Sequence, residues 1–152
     1  MINKLIQLFQ NLNVIFQKYT FVLASSLSMA ITAIILIEDK DISEATELIL
    51  AKILITSALG ISLFFGLYMF SQRYGKRFVF EAIGFILLGA VYFLLPHQKD
   101  NWNVIQIIMI FSSAVLTHLL VAFAPFWNSN EEAPFWLYNK CLFIGVVQTA
   151  IF

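Results

Sequence analysis

The chain has 152 residues, 61% of them hydrophobic and only 12% charged, and its nine basic and nine acidic side chains leave no net charge. Soluble domains carry about 45–50% apolar and about 25% charged residues, so a disordered protein is excluded and a soluble enzyme is disfavoured. A neutral chain implies no nucleic-acid partner, and the single Cys141 excludes an intrachain disulfide and a cysteine-cluster metal site.

Residues 1–18 place Ile2, Leu5, Ile6, Phe9, Leu12 and Phe16 at helical spacing, with Asn3, Lys4, Gln7, Gln10 and Asn11 on the other side. That pattern predicts an amphipathic helix lying in the membrane interface. Residues 19–152 form the expected transmembrane domain, with helices over about 19–37, 49–71, 78–95, 103–126 and 135–152. A spanning helix needs about 20 mostly apolar residues. Tyr19–Ile37 and Ile53–Phe70 carry no charge, Phe78–Leu95 carries only Glu81, and Val104–Phe126 is interrupted by Gln106 and His118. These runs are about twice the length of a barrel strand and do not alternate in polarity, which favours helices over strands. The first segment stays apolar through Ile34–Ile37, past any cleavage site its small residues offer, so it reads as a retained anchor. Ser25, Ser26 and Ser28 within it are expected to bond back to helix carbonyls. The fold class is therefore all-α, a multi-pass transmembrane bundle behind an interfacial helix.

The connections are short. Glu38–Glu47 is acidic, Ser71–Arg77 holds Arg73, Lys76 and Arg77, and Pro96 stops the third helix before a turn at His97–Asn101. Asn128–Pro134 links the last two helices, with Glu131 and Glu132 where a helix start favours anions. Ala-Pro-Phe-Trp occurs at Ala124–Trp127 and at Ala133–Trp136, two aromatic anchors about one loop. Placing the amino end in the cytoplasm puts Lys4, Lys18, Arg73, Lys76, Arg77 and Lys140 inside and Lys40, Lys52 and Lys99 outside, the bias expected of an inner-membrane protein. Cys141–Phe152 covers about 18 Å of helix against a hydrocarbon core of about 30 Å. A longer protein continuing past Phe152 is the expectation.

Three stretches, Ala51–Lys76, His118–Trp127 and Phe135–Phe143, carry a resemblance. They are similar to the bacterial membrane proteins grouped as domain of unknown function 4153. There a His-Leu-Leu-like run (here His118, Leu119 and Leu120) precedes a short polar loop. A Phe-Trp-x-x-Asn-Lys-like motif (here Phe135, Trp136, Asn139 and Lys140) then opens the next helix. The resemblance covers most of Tyr19–Phe152 and implies a larger multi-pass protein. It brings no activity, substrate or catalytic residue.

No Gly-x-Ser-x-Gly, His-Glu-x-x-His or Gly-rich phosphate loop occurs in the sequence. Only His118 is deep, whereas a b-type haem needs paired ligands, so no cofactor or metal is expected. An intramembrane ionisable group is costly and faces protein or water, which makes His118 either a proton-handling residue or neutral interhelical glue. Glu81 and Lys140 fall in the same half of the membrane, so His118, Glu81, Lys140 and Asn139 form the candidate polar cluster; the bland alternative is that Glu81 and Lys140 snorkel to the interface. Ala58, Ser62 and Gly66 form a small-residue helix-packing stripe, and Gln106 and Gln148 are expected as interhelical glue. The function that follows is a non-enzymatic scaffold or accessory protein of the bacterial inner membrane. The alternative is part of a transporter or permease with a polar cluster around His118. Partners are membrane lipid, other membrane helices or a second copy. The orientation has a direct check: a cysteine at Ser43 is expected to react with an impermeant thiol reagent added to intact cells, and one at Gly75 is expected not to. Labelling of position 75 from outside would reverse the topology.

Overall fold

The computed structural model describes residues 7, 12–38, 41–98, 102–127 and 132–151. Helix α1 is Thr20–Glu38, α2 is Glu44–Tyr74, α3 is Arg77–Leu94, α4 is Val104–Phe123 followed by one 3-10 turn at Ala124–Phe126, and α5 is Glu132–Ile151. No strand occurs among the described residues, and the expected all-α class holds. Residues 12–18 are helical and meet α1 at a bend on Tyr19. The expected interfacial positions Ile2, Asn3, Lys4, Leu5, Ile6, Phe9, Gln10 and Asn11 lie outside the described residues, as do Asp39, Lys40, Lys99, Glu131 and Phe152.

Helix α2 is longer at both ends than its apolar run predicts. It starts at Glu44 rather than 49 because Ser43 caps it: the Thr46 amide donates to Ser43 Oγ at 3.3 Å, and Glu44 and Glu47 sit in the first turn, where the helix dipole favours them. The acidic stretch is thus partly helix. At the other end Gly75 takes the left-handed conformation (φ 66°), and its amide closes on the Ser71 carbonyl. The expected loop Ser71–Arg77 shrinks to Gly75 and Lys76. A side chain at Gly75 strains that cap, so Lys76→Cys in a Cys141→Ser background is the gentler probe of this turn. Helix α3 ends as expected: Leu95 is extended ahead of Pro96. Gln106 is not interhelical glue. Its side chain accepts from the Asn103 amide at 2.8 Å while Asn103 caps the Gln106 amide at 3.2 Å, a reciprocal capping box that starts α4.

Four helices among the described residues are long and apolar enough to cross a membrane: α1, α2, α3 and α4 through Phe126. The expected fifth span forms a helix but does not qualify. Glu132, Asn139, Lys140 and Gln148 interrupt its apolar character. At about 46 Å, α2 exceeds the hydrocarbon core.

Helix α2 is the hub. It packs along α1, α3 and α4, while among the described residues α3 and α4 barely touch and α5 makes its main contact with the end of α4 and the turn that follows it. Leu59, Leu63, Phe64 and Leu67 of α2 are buried. Close approach depends on small residues, as expected where lipid offers no hydrophobic drive for helix association. A Cβ on Gly66 would fall 2.9 Å from the Leu120 side chain and 3.3 Å from the Val121 amide of α4. One on Gly84 of α3 would fall 2.6 Å from the Phe64 ring. Gly89 of α3 meets nothing within 4 Å. Gly84→Ala is therefore expected to lower the unfolding midpoint in detergent, because overpacking costs about 1–3 kcal/mol. Gly89→Ala is expected to hold or raise it, since alanine is favoured in helices by up to about 1 kcal/mol. Thermal unfolding of the two variants side by side checks the packing.

Candidate functional site

The polar side chains fall into separate places. Glu81, one turn into α3, accepts from Arg77 Nε at 2.6 Å, an i,i+4 pair in which Arg77 is 42% exposed. The pair borders a cleft of about 20 Å³ with Lys18, Tyr19, Tyr68 and Ser71, room for one water. Glu81 thus faces the α1 and α2 ends. His118 is exposed on α4, and its Nδ1 lies 2.8 Å from the Ala114 carbonyl of its own helix. Asn139 donates to Phe135 within α5 at 3.0 Å and reaches the Ala122 carbonyl of α4 at 3.5 Å. Lys140 is exposed. Of the four candidate residues, none is brought into hydrogen-bond or ion-pair distance of another among the described residues. The start of α5 is instead held by rings: Phe135 stacks on Phe123 at 5.5 Å and meets Phe126 edge-on at 5.4 Å.

The packing stripe divides. Ser62 and Gly66 lie on the α2–α4 contact, where Ser62 Oγ donates to Thr117 Oγ1 at 3.0 Å; Ala58 is exposed. On the opposite flank Ser57 Oγ donates to Ser28 Oγ at 3.0 Å and ties α2 to α1. Of the first-helix serines, Ser26 does bond back, to Val22 at 3.0 Å, whereas Ser28 bridges helices and Ser25 packs over Gly60. Interhelical facing, not the local carbonyl, decides which serine does which.

The residue that sequence reading passes over is Lys52. It counts there only as a flanking cation, yet it is 4% exposed, with Nζ 4.5 Å from the centroid of the Tyr92 ring. A desolvated cation over an aromatic face gains about 2 kcal/mol. The available signal is its spacing: Lys52 and Thr56 share a face of α2 at i,i+4, and Thr56 Oγ1 donates to the Lys52 carbonyl at 2.8 Å. Beside it, a groove of about 510 Å³ opens between α1 and α3 over α2, with Ser25, Ser28, Thr56, Ser57 and Tyr92 on its walls. A second groove of about 510 Å³ lies between α3 and α4. Its lining is apolar apart from Ser113 and Thr117, and Leu59 and Leu63 form its floor.

Among the described residues no three His, Cys, Asp or Glu side chains converge to hold a metal ion. No protein-family model, curated protein or solved structure matches the chain.

The geometry sets the expected sensitivity of these groups. His118→Gln is expected to leave stability unchanged, because the side chain is exposed and its hydrogen bond runs to its own helix. Ser62→Ala is expected to lower it by about 0.6 kcal/mol, the average worth of a membrane hydrogen bond. A stability ranking in mixed micelles that places His118→Gln below Ser62→Ala would contradict this assignment.

Proposed function

We propose that this chain is a scaffold or accessory protein of the bacterial inner membrane, with α1 entering from the cytoplasm, and that it belongs with the proteins grouped as domain of unknown function 4153. One observation carries the architectural reading. The part-buried hydroxyl pairs Ser57–Ser28 and Ser62–Thr117 join helices. Pairs of this kind fix the arrangement of helices that lipid alone does not hold together. The family assignment rests on the His-Leu-Leu and Phe-Trp-x-x-Asn-Lys stretches, and the orientation rests on the basic residues gathered at Arg73–Arg77.

A transporter built around His118 is the second reading. It calls for Glu81, His118 and Lys140 to act on one path, and their separate placements favour the scaffold.

Complementation of a deletion strain by the full reading frame separates the two. Under the scaffold reading, His118→Gln and Glu81→Gln are expected to complement fully, and Gly66→Leu, which drives a side chain into α4, is expected to fail with reduced accumulation. A His118→Gln protein that accumulates normally yet does not complement would select the transporter.

A further inference from the structure

Helix α2 meets its three neighbours by unlike means. Hydroxyl pairs join it to α1 and to α4. Helix α3 carries no serine or threonine, and its polar side chains are Arg77, Glu81 and Tyr92 alone. Tyr92 meets α2 near one end of α3, over Lys52. Near the other end Glu81 borders the cleft of about 20 Å³ that residues of α1, α2 and α3 line together. Size and charge both restrict what this cleft can take. A water needs about 10–15 Å³ of such space, and a phosphate or a head group is far larger than what is left. A cation would meet Lys18 and Arg77 on the lining, and an anion would meet Glu81. The hydrogen-bonding groups suit a small neutral molecule. Ser71, only 3% exposed, spends its one hydroxyl proton on the Tyr68 carbonyl at 2.7 Å and keeps its lone pairs. Glu81 Oε1 takes the Arg77 proton, which leaves the carboxylate with further acceptor capacity. The phenols of Tyr19 and Tyr68, also on the lining, are donors.

We propose that this cleft is a binding site for one ordered water molecule, which bridges α3 to α2. The water donates to the Glu81 carboxylate and to Ser71 Oγ and accepts from the Tyr68 hydroxyl, with Tyr19 of α1 as its second donor. Two acceptors and two donors match the two protons and two lone pairs of water. Phe21, Phe64, Leu67 and Phe80 also line the cleft, and polar groups among apolar side chains are costly unless hydrogen-bonded. A bridging water is nearly as good a link as a direct hydrogen bond. It gives the α2–α3 contact the polar tie that the other two contacts take from serine and threonine. Glu81 is then a structural acceptor at the junction of three helices. The site goes beyond the scaffold reading and does not depend on it, since a transporter could hold the same water.

The test is diffraction from crystals of the full chain grown in a lipid mesophase, with separate soaks in rubidium and in bromide. A water peak within hydrogen-bond distance of Glu81, Ser71 and Tyr68 is expected, with no anomalous signal in the cleft from either ion. An anomalous peak there, a side chain filling the space, or no density at all overturns the proposal. A double-mutant cycle in detergent reads the bridge itself. Tyr68→Phe keeps the ring that lies 4.8 Å from that of Tyr19 and removes only the hydroxyl, and Glu81→Met removes the carboxylate at similar length. Each is expected to lower the thermal midpoint, and the double variant is expected to fall by less than the sum, because both changes break one bridge. Additive shifts overturn the proposal, and the cycle decides it alone should the crystals not resolve water. Failure of the scaffold reading would show in complementation and leave both readouts unchanged.

Discussion

The close approach of other helices to α2 is the constraint on which the arrangement depends. Lipid tails are as apolar as leucine, so no hydrophobic drive holds these helices together, and association rests on packing and on a few hydrogen bonds. Helix α2 supplies the surface for both. Gly66 admits the α4 backbone, Gly60 admits Ser25 of α1, and the Phe64 ring lies where a side chain at Gly84 of α3 would stand. The hydroxyl pairs Ser57–Ser28 and Ser62–Thr117 then fix the angular positions of α1 and α4 about the hub. Interior close packing tolerates little extra volume, so the glycines carry more of the architecture than the far more numerous leucines.

A hub has a consequence that a closed bundle lacks. Because α3 and α4 each lean on α2 and barely touch one another, the space between them stays open along Leu59 and Leu63. The same holds between α1 and α3, where Ser25, Ser28, Thr56 and Ser57 add hydroxyls to the walls. The two grooves are alike in volume, and both are lined mainly by apolar side chains. Leucine walls meet hydrocarbon alone, whereas the serine and threonine hydroxyls of the α1–α3 walls can also take part in hydrogen bonds. Helix α5 stands outside this scheme, tied to α4 through Phe123, Phe126 and Phe135 at its first turns.

Hydropathy made the helices and their order legible, because runs of about 20 apolar residues have one interpretation. The helix ends were legible in principle and lost by attending only to apolar runs. Ser43 followed by Glu44 and Glu47, Gly75, and Asn103 three residues before Gln106 are all cap signals. The facing of side chains was not legible. Helix α4 is apolar almost all round, so nothing in its pattern says that His118 points outward while Thr117 points to α2. Helix α1 has the same ambiguity, which is why Ser26 bonds back as its residue type suggests while Ser28, expected to do the same, bridges to α2. Lys52 escaped because a lysine at the edge of an apolar run normally snorkels outward. Tyr92, forty residues away, gives it a reason to turn in.

Disulfide crosslinking in a Cys141→Ser background tests the hub most directly. The account predicts that the pairs Ser28→Cys with Ser57→Cys and Ser62→Cys with Thr117→Cys both oxidise readily in membranes, since each now holds its hydroxyls 3.0 Å apart. Leu87→Cys with Leu116→Cys, on facing walls of the open α3–α4 groove, is predicted to stay reduced. Rapid crosslinking of α3 to α4 through that pair, with the two α2 pairs unreactive, would contradict it.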